Sequence, residues 1–232
     1  RFRARITFPI FNIGGRVLGF SARILSSDKS KAKYVNSPES IIYSKSNVLF
    51  GLHFAKEKII KEDLCYLVEG NMDAVMMSQC GVQNVVATSG TALTVQQINL
   101  IKRYTRNVTV LYDGDSAGIK ATFKAVNLFL EQGLNVRTVL FPDGEDPDSF
   151  ARSRTADEFK AFLADNSRNF ILYKTDILVK QAGNDPIKRA EMIKDIVYTI
   201  SLVPDLLERS TYLQQCSNLL QVDEVVLSNA LK

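Results

Sequence analysis

The chain has no tryptophan, one histidine and three cysteines in 232 residues. With His53 alone, a zinc site has almost no raw material, and zinc is not expected. Protease chemistry centred on His53 would need a partner that the sequence does not place beside it, so a helix-surface position is expected instead. Cys65, Cys80 and Cys216 are scattered, two of them in apolar segments. That pattern points to reduced thiols rather than a disulfide framework. No apolar stretch approaches the roughly 20 residues of a membrane helix, and the start carries no signal-peptide pattern. A cytoplasmic protein without membrane contact is the expectation. Internal repeats and low-complexity segments are also missing.

What is present is a 46% hydrophobic composition, enough for one large domain or two small ones. Charge is unevenly spread. Residues 1–60 carry eleven Lys/Arg against Asp28, Glu39 and Glu57, whereas residues 61–150 carry seven against eleven acidic residues. A basic front joined to an acidic centre suits a metal-dependent enzyme acting on a polyanion. An uneven solvated surface explains the composition equally well.

The start, "RFRARITFPIFNIGGRVLGFSARIL", alternates apolar and polar residues around "NIGG" and predicts a β-hairpin. "SSDKSKAKYVNSPES" predicts an exposed loop, and "NVLFGLHFAKEKII" a helix. From residue 64, strands alternate with helices. The strands are "LCYLV" (64–68), "NVVAT" (84–88), "NVTVLY" (107–112) and "NVRTVLF" (135–141). Helices are predicted at about 72–80, after "SGTALT", and at about 116–132. Short apolar strands separated by helices argue for an α/β fold with a parallel sheet covered on both faces. After about residue 152 strand signals stop, and apolar residues recur at three-to-four spacing, predicting an α-helical subdomain.

Acidic residues follow three of the four strands, at the edge where open α/β sheets bind ligands. Glu69 ends the first strand, with Asp73 four residues on. Asp113 and Asp115 follow the third. The fourth leads into Asp143, Glu145, Asp146 and Asp148. Each has an ordinary reading: Asp115 or Ser116 as a helix cap, and Asp146 as a cap with Pro147 at the first helical position. Together, like charges crowded at one edge repel unless cations neutralise them. Mg²⁺ prefers carboxylate oxygens plus water and substrate phosphates.

These residues resemble a known family. "LVEGNMD" followed by "LYDGDSAG" is similar to the Toprim signature of topoisomerases, bacterial primases, some nucleases and recombination mediators. The ordered set "VEGxMD", "SGTALT", "YDGDxAG" and "PDGEDPD" resembles the DnaG-type bacterial primases in particular. "RFRARITFPI", "GRVLGFSAR", "KYVNSPES" and "YSKSNVLFGL" look like that family's basic motifs.

The resemblance implies a Toprim-type parallel-sheet core with an N-terminal β-rich basic segment and a C-terminal α-helical subdomain. It divides the chain into 1–62, a truncated part of the N-terminal polymerase subdomain; 63–152, the Toprim metal-binding domain; and 153–232, the helical subdomain. It makes Glu69 the catalytic acidic residue near the metals, and Asp113 and Asp115 metal ligands, with Asp73, Asp146 and Asp148 completing or tuning the cation site. Arg23, Lys33, Asn36 and Lys45 fall in the region contacting nucleic-acid phosphate or nucleotide. Asn71 stands where the family often has an aromatic residue.

The implied activity is metal-dependent synthesis of short RNA primers from NTPs on single-stranded DNA at the bacterial replication fork, using Mg²⁺ or Mn²⁺. The replicative helicase and single-strand-binding protein are expected partners, through regions outside this chain. Other readings of a Toprim site are nuclease or topoisomerase strand cleavage, and a non-catalytic, recombination mediator-like DNA-binding module.

Overall fold

The computed structural model describes residues 2–25, 30–90, 92–112, 123, 126–142 and 144–231, with the backbone alone at Tyr112. The predicted hairpin forms from β1 (Arg5–Phe11) and β2 (Val17–Ile24), paired antiparallel. Its turn closes because the Asn12 Oδ1 accepts from the Arg16 N–H at 2.9 Å and the Asn12 carbonyl from Gly15 at 3.0 Å. Gly15 sits at φ 88°, and a Cβ there would come within 2.8 Å of the His53 ring, so glycine is required twice over.

A third strand, β3 (Tyr34–Asn36), pairs antiparallel with β2, where the sequence pattern predicted only loop. The polar, lysine-rich surroundings hide it, and its pairing with β2 makes it. The register sets Ser21 opposite Asn36 and Arg23 opposite Tyr34. Because side chains alternate along a strand, these four share one face of the small sheet, while Ala22 and Val35 share the other.

Helix α1 (Leu52–Glu62) connects this sheet to a second one. Its His53 is not simply a surface residue: the ring Nδ1 lies 3.0 Å from the Ile13 carbonyl, beside Phe11 and Phe54. The chain then alternates through β4 (Cys65–Val68), α2 (Asn71–Gln79), β5 (Val85–Ala87), α3 (Val95–Lys102), β6 (Asn107–Tyr112), helical residues 126–131 and β7 (Asn135–Leu140). Strand order runs β5-β4-β6-β7, all parallel, and then a fifth strand. The fifth, β8 (Arg168–Asn169), adds antiparallel to β7 beyond the point where strand signals end in the sequence. Two residues without an apolar side chain leave no pattern to detect.

The parallel strands are buried on both faces. Leu67, Val86, Val108, Val110 and Val136 pack with α1, α3 and the carboxy-terminal helices, and Val68, Val85, Ala87, Leu111 and Val139 pack on the other side. That second side is closed by α4 (Pro147–Arg152) and α5 (Ala156–Asn166), through Phe150, Phe159 and Leu163. Each such side chain contributes about 1.5–3 kcal/mol relative to exposure.

The remainder is helical: α6 (Phe170–Ala182), α7 (Pro186–Ser201), α8 (Leu206–Leu220) and α9 (Glu224–Ala230). Asn169, Asp185, Asp205 and Asp223 cap them, each side chain accepting from the first-turn N–H groups. The buried Lys174 on α6 donates to Asp195 at 2.8 Å and to Thr199 at 2.7 Å, joining α6 to α7. The three cysteines are free, Cys65 and Cys216 being buried. Among the described residues, no helix is long and apolar enough to cross a membrane.

The segment before α1 links the two sheets through Phe50, whose ring meets Phe8 of β1 edge-on at 6.2 Å. Phe50 bridges Ala87 of β5, exchanging backbone hydrogen bonds of 2.9 and 3.0 Å. This contact helps bring the polar face of β2 and β3 towards the carboxyl ends of β4 and β5.

Candidate active-site cleft

A cleft of about 400 Å³ lies where these surfaces meet. Ser21, Arg23, Lys33, Tyr34 and Asn36 form one wall. The opposite wall has Glu69 to Asp73 from the start of α2, Ser89 and Gly90 after β5, and Asp146 and Asp148 from the start of α4. Strand ends supply the acidic side, as expected for an open parallel sheet.

Local chemistry holds the Asp73, Asp146 and Asp148 carboxylates, and backbone contacts hold the turn that carries Glu69. Gly70 is the N-cap of α2, and its N–H donates to Asp73 Oδ2 at 3.0 Å. A Cβ at position 70 would lie 2.6 Å from that oxygen, so glycine lets Asp73 reach back to the turn carrying Glu69. The Glu69 carbonyl accepts from the Gly90 N–H at 3.3 Å and from the Thr88 hydroxyl at 3.5 Å. Asp146 caps α4: its Oδ1 accepts from the Ser149 N–H at 2.7 Å, and the Ser149 hydroxyl accepts from its N–H at 2.9 Å. Asp148 accepts two hydrogen bonds from Arg152. The Asp146 cap beside Pro147 is thus an ordinary structural role that coexists with a place in the cleft.

The electrostatics run across the gap. Burial pushes the Tyr34 phenol above its usual range; Arg23 opposes that shift, while Asp73 and Asp148 add to it. Tyr34 therefore stays a neutral donor and ring at physiological pH.

The geometry gathers Arg23, Lys33, Asn36, Glu69, Asp73, Asp146 and Asp148 from the sequence reading. It does not gather Lys45, which lies in the short 3-10 turn Lys45–Asn47. The Lys45 N–H donates to Glu39 and its carbonyl accepts from the buried Gln97 amide. Asp113 and Asp115 lie outside the described residues, as does Asp143. They follow β6, whose neighbours in the sheet are β4 and β7.

Among the described residues, no group of three His, Cys, Asp or Glu side chains is arranged to hold a metal ion. The donors lining the cleft are nevertheless hard oxygens, four carboxylates with amide and hydroxyl groups, and include no imidazole or thiol. That donor set fits Mg²⁺ or Mn²⁺ and not zinc. Sequence reasoning did not single out Ser21 or Ser89 as site residues, and took Asn71 only as a departure from a motif. Ser21 was recoverable from the two-residue period ending at Arg23; the other two needed the tertiary contact.

Comparison with known proteins shows the family to which the chain belongs. Residues 1–56 match a family model described as the DNA primase catalytic core, N-terminal domain. Residues 66–151 match a Toprim-like model. A DNA primase of Staphylococcus aureus is 35% identical over all 232 residues, which span 38% of that protein. The crystal structure of a DNA primase domain from Pseudomonas aeruginosa is 31% identical, with a TM-score of 0.88 over all of this chain and 73% of that one. The chain belongs to the DnaG primase family. A structure of the DnaG primase catalytic domain bound to ssDNA is 35% identical, with a TM-score of 0.83 over 94% of this chain and 71% of that one. The DnaG cores thus share the fold, with its parallel sheet and helical tail. One expectation is corrected: residues 173–224 match a model described as the DnaB-helicase binding domain of primase, so the resemblance to that domain falls within this chain and not only outside it.

Proposed function

We propose that this chain is the catalytic core of a bacterial replicative primase, which extends short RNA primers from NTPs on a single-stranded DNA template. The observation that carries the reading is the cleft in which Arg23, Lys33 and Asn36 face Glu69, Asp73, Asp146 and Asp148. It is supported by the related DnaG catalytic domain bound to ssDNA. In this assignment residues 1–62 supply the basic wall, 63–152 the acidic sheet edge, and 153–232 the helical subdomain.

The reaction is attack of a primer 3′-hydroxyl on the α-phosphate of a ribonucleotide, with pyrophosphate leaving. Glu69, Asp113 and Asp115 would hold the divalent cation, with Asp73, Asp146 and Asp148 at the rim. When bound, such a cation lowers the pKa of the hydroxyl and offsets phosphate charge. Arg23 and Lys33 neutralise phosphates of the nucleotide or template, and Asn36 supplies neutral hydrogen bonds beside them. Tyr34, kept neutral, offers a ring for a base. Positioning and electrostatics account for most of the catalysis, as in phosphoryl transfer generally. Replicative helicase is a partner in the full-length protein, through the helices spanning 173–224.

The test is primer synthesis by the full-length protein on a single-stranded oligonucleotide with Mn²⁺ and labelled NTPs. Asp113→Asn should lower transfer by roughly a hundredfold or more while the far-ultraviolet circular dichroism is retained. Near-normal transfer by that variant overturns the assignment. Nicking of supercoiled DNA without nucleotide incorporation would favour strand cleavage instead.

A further inference from the structure

The turn carrying Glu69 is tied to the turn after β5 by two backbone hydrogen bonds. The Thr88 N–H donates to the Val68 carbonyl at 3.2 Å, and the Gly90 N–H to the Glu69 carbonyl at 3.3 Å. A side-chain bond adds to them: the Ser89 hydroxyl donates to Asn71 Oδ1 at 2.7 Å. Both residues line the cleft.

Two features separate this bond from an ordinary turn contact. Ser89 has φ 61°, a left-handed conformation that residues with a Cβ rarely adopt and glycine adopts freely. Such conformations persist where the surroundings over-determine them. Asn71 is only 2% exposed, so without the Ser89 hydroxyl its amide oxygen loses a buried partner. Within the first turn of α2 the side-chain bond is made by Asp73, which accepts from the Gly70 N–H, whereas Asn71 Oδ1 takes its bond from Ser89, outside the helix. The Asn71–Ser89 bond therefore acts between elements, joining the start of α2 to the end of β5.

We propose that Asn71 and Ser89 form a brace that positions Glu69, two residues before Asn71, against the opposite wall of the cleft. This rests on the reading of Glu69 as a cation-holding group. Asn71 and Ser89 are positioning residues: they act through Glu69 and need not touch substrate. Loss of the brace lets the Glu69 turn move away from the β5 turn. Displacements of well under an ångström are enough to weaken a cation site. Arg23, Tyr34 and Asn36 stand on the other sheet, with Lys33 immediately before β3, and are not disturbed, so nucleotide affinity should hold while turnover falls.

The experiment uses the full-length protein with Ser89→Gly, Asn71→Ala, the double variant, and Glu69→Gln as control. Ser89→Gly removes the hydroxyl while supplying the residue that this backbone suits, so a thermal midpoint near wild type is expected. Mn²⁺ affinity, measured by electron paramagnetic resonance without nucleotide, should weaken roughly tenfold, the size usual for lost supports of metal ligands. The kcat for primer extension should fall by a similar factor, with KM for NTP unchanged. The double variant should be no worse than the more damaging single one, because both remove the same interaction.

Wild-type Mn²⁺ affinity and kcat in Ser89→Gly would overturn the brace. So would effects that multiply in the double variant, or a raised KM with unchanged kcat. If Glu69→Gln abolishes binding and transfer while Ser89→Gly is silent, the brace alone fails. If Glu69→Gln is itself silent, the reading of the cleft falls and the brace with it.

Discussion

Arg152 grips Asp148 across one turn of α4, with Nε and Nη2 donating at 2.8 and 3.1 Å. The Asp148 hydrogen bonds, and then its charge, hold the guanidinium above its ordinary pKa. A carboxylate lining the cleft thus carries its own counter-ion, which competes with any cation entering from the other side. Arg152→Ala should tighten Mn²⁺ binding roughly twofold to fivefold at low ionic strength, with the gain shrinking as salt screens the site. Stability should change little, because the Arg152 side chain stands largely in solvent, although Asp148 is mostly covered. Isothermal titration at two salt concentrations checks this.

Asp146 has two separable jobs. Its cap on Ser149 is worth about 1 kcal/mol, lost in Asp146→Ala. Asp146→Ser retains a capping oxygen but removes the charge. Urea denaturation should place Asp146→Ser near wild type and Asp146→Ala below it, whereas both variants should bind Mn²⁺ more weakly. If Mn²⁺ affinity follows stability instead, the residue is a cap and nothing more.

Lys33 should reveal itself through salt. Each phosphate contact on single-stranded DNA adds about 0.7 to the slope of log affinity against log salt. Lys33→Ala should therefore flatten that slope by about 0.7, measured by fluorescence anisotropy with an unstructured oligonucleotide. Lys45→Ala, outside the cleft, should leave the slope nearly unchanged.

Glu158 makes a pH-dependent contribution. Its carboxyl lies below its ordinary value of 4.5, first because the Thr155 N–H donates to it and then because the Thr155 hydroxyl does. A depressed carboxyl stabilises the fold above the unfolded-state pKa, and the contribution disappears as pH falls through the folded value. Wild type should thus lose more stability than Glu158→Gln between about pH 5 and pH 3. Chemical denaturation across that range measures the difference.

The α/β core was legible because strands buried on both faces leave short apolar runs such as Cys65–Val68 and Asn107–Tyr112. The cap at Asp146 was legible because Asp before Pro has a fixed local meaning. β3 was not, since three residues amid lysine and serine become a strand only through pairing with β2. That omission also hid why Arg23 and Tyr34 stand side by side, which is a matter of register rather than composition. Lys45 was placed with the site by motif, yet its backbone is engaged by Glu39 and Gln97, away from the cleft. Ser89 and Asn71 are eighteen residues apart and carry no periodic signal that would pair them.

The bridge between Phe50 and Ala87 has a second consequence. β5 is the outermost strand of its sheet, and the unpaired N–H and carbonyl groups of such a strand invite another chain to add to it. Phe50 covers part of that edge with two hydrogen bonds. The contact that draws the basic wall towards the acidic one therefore also shields the sheet from edge-to-edge aggregation.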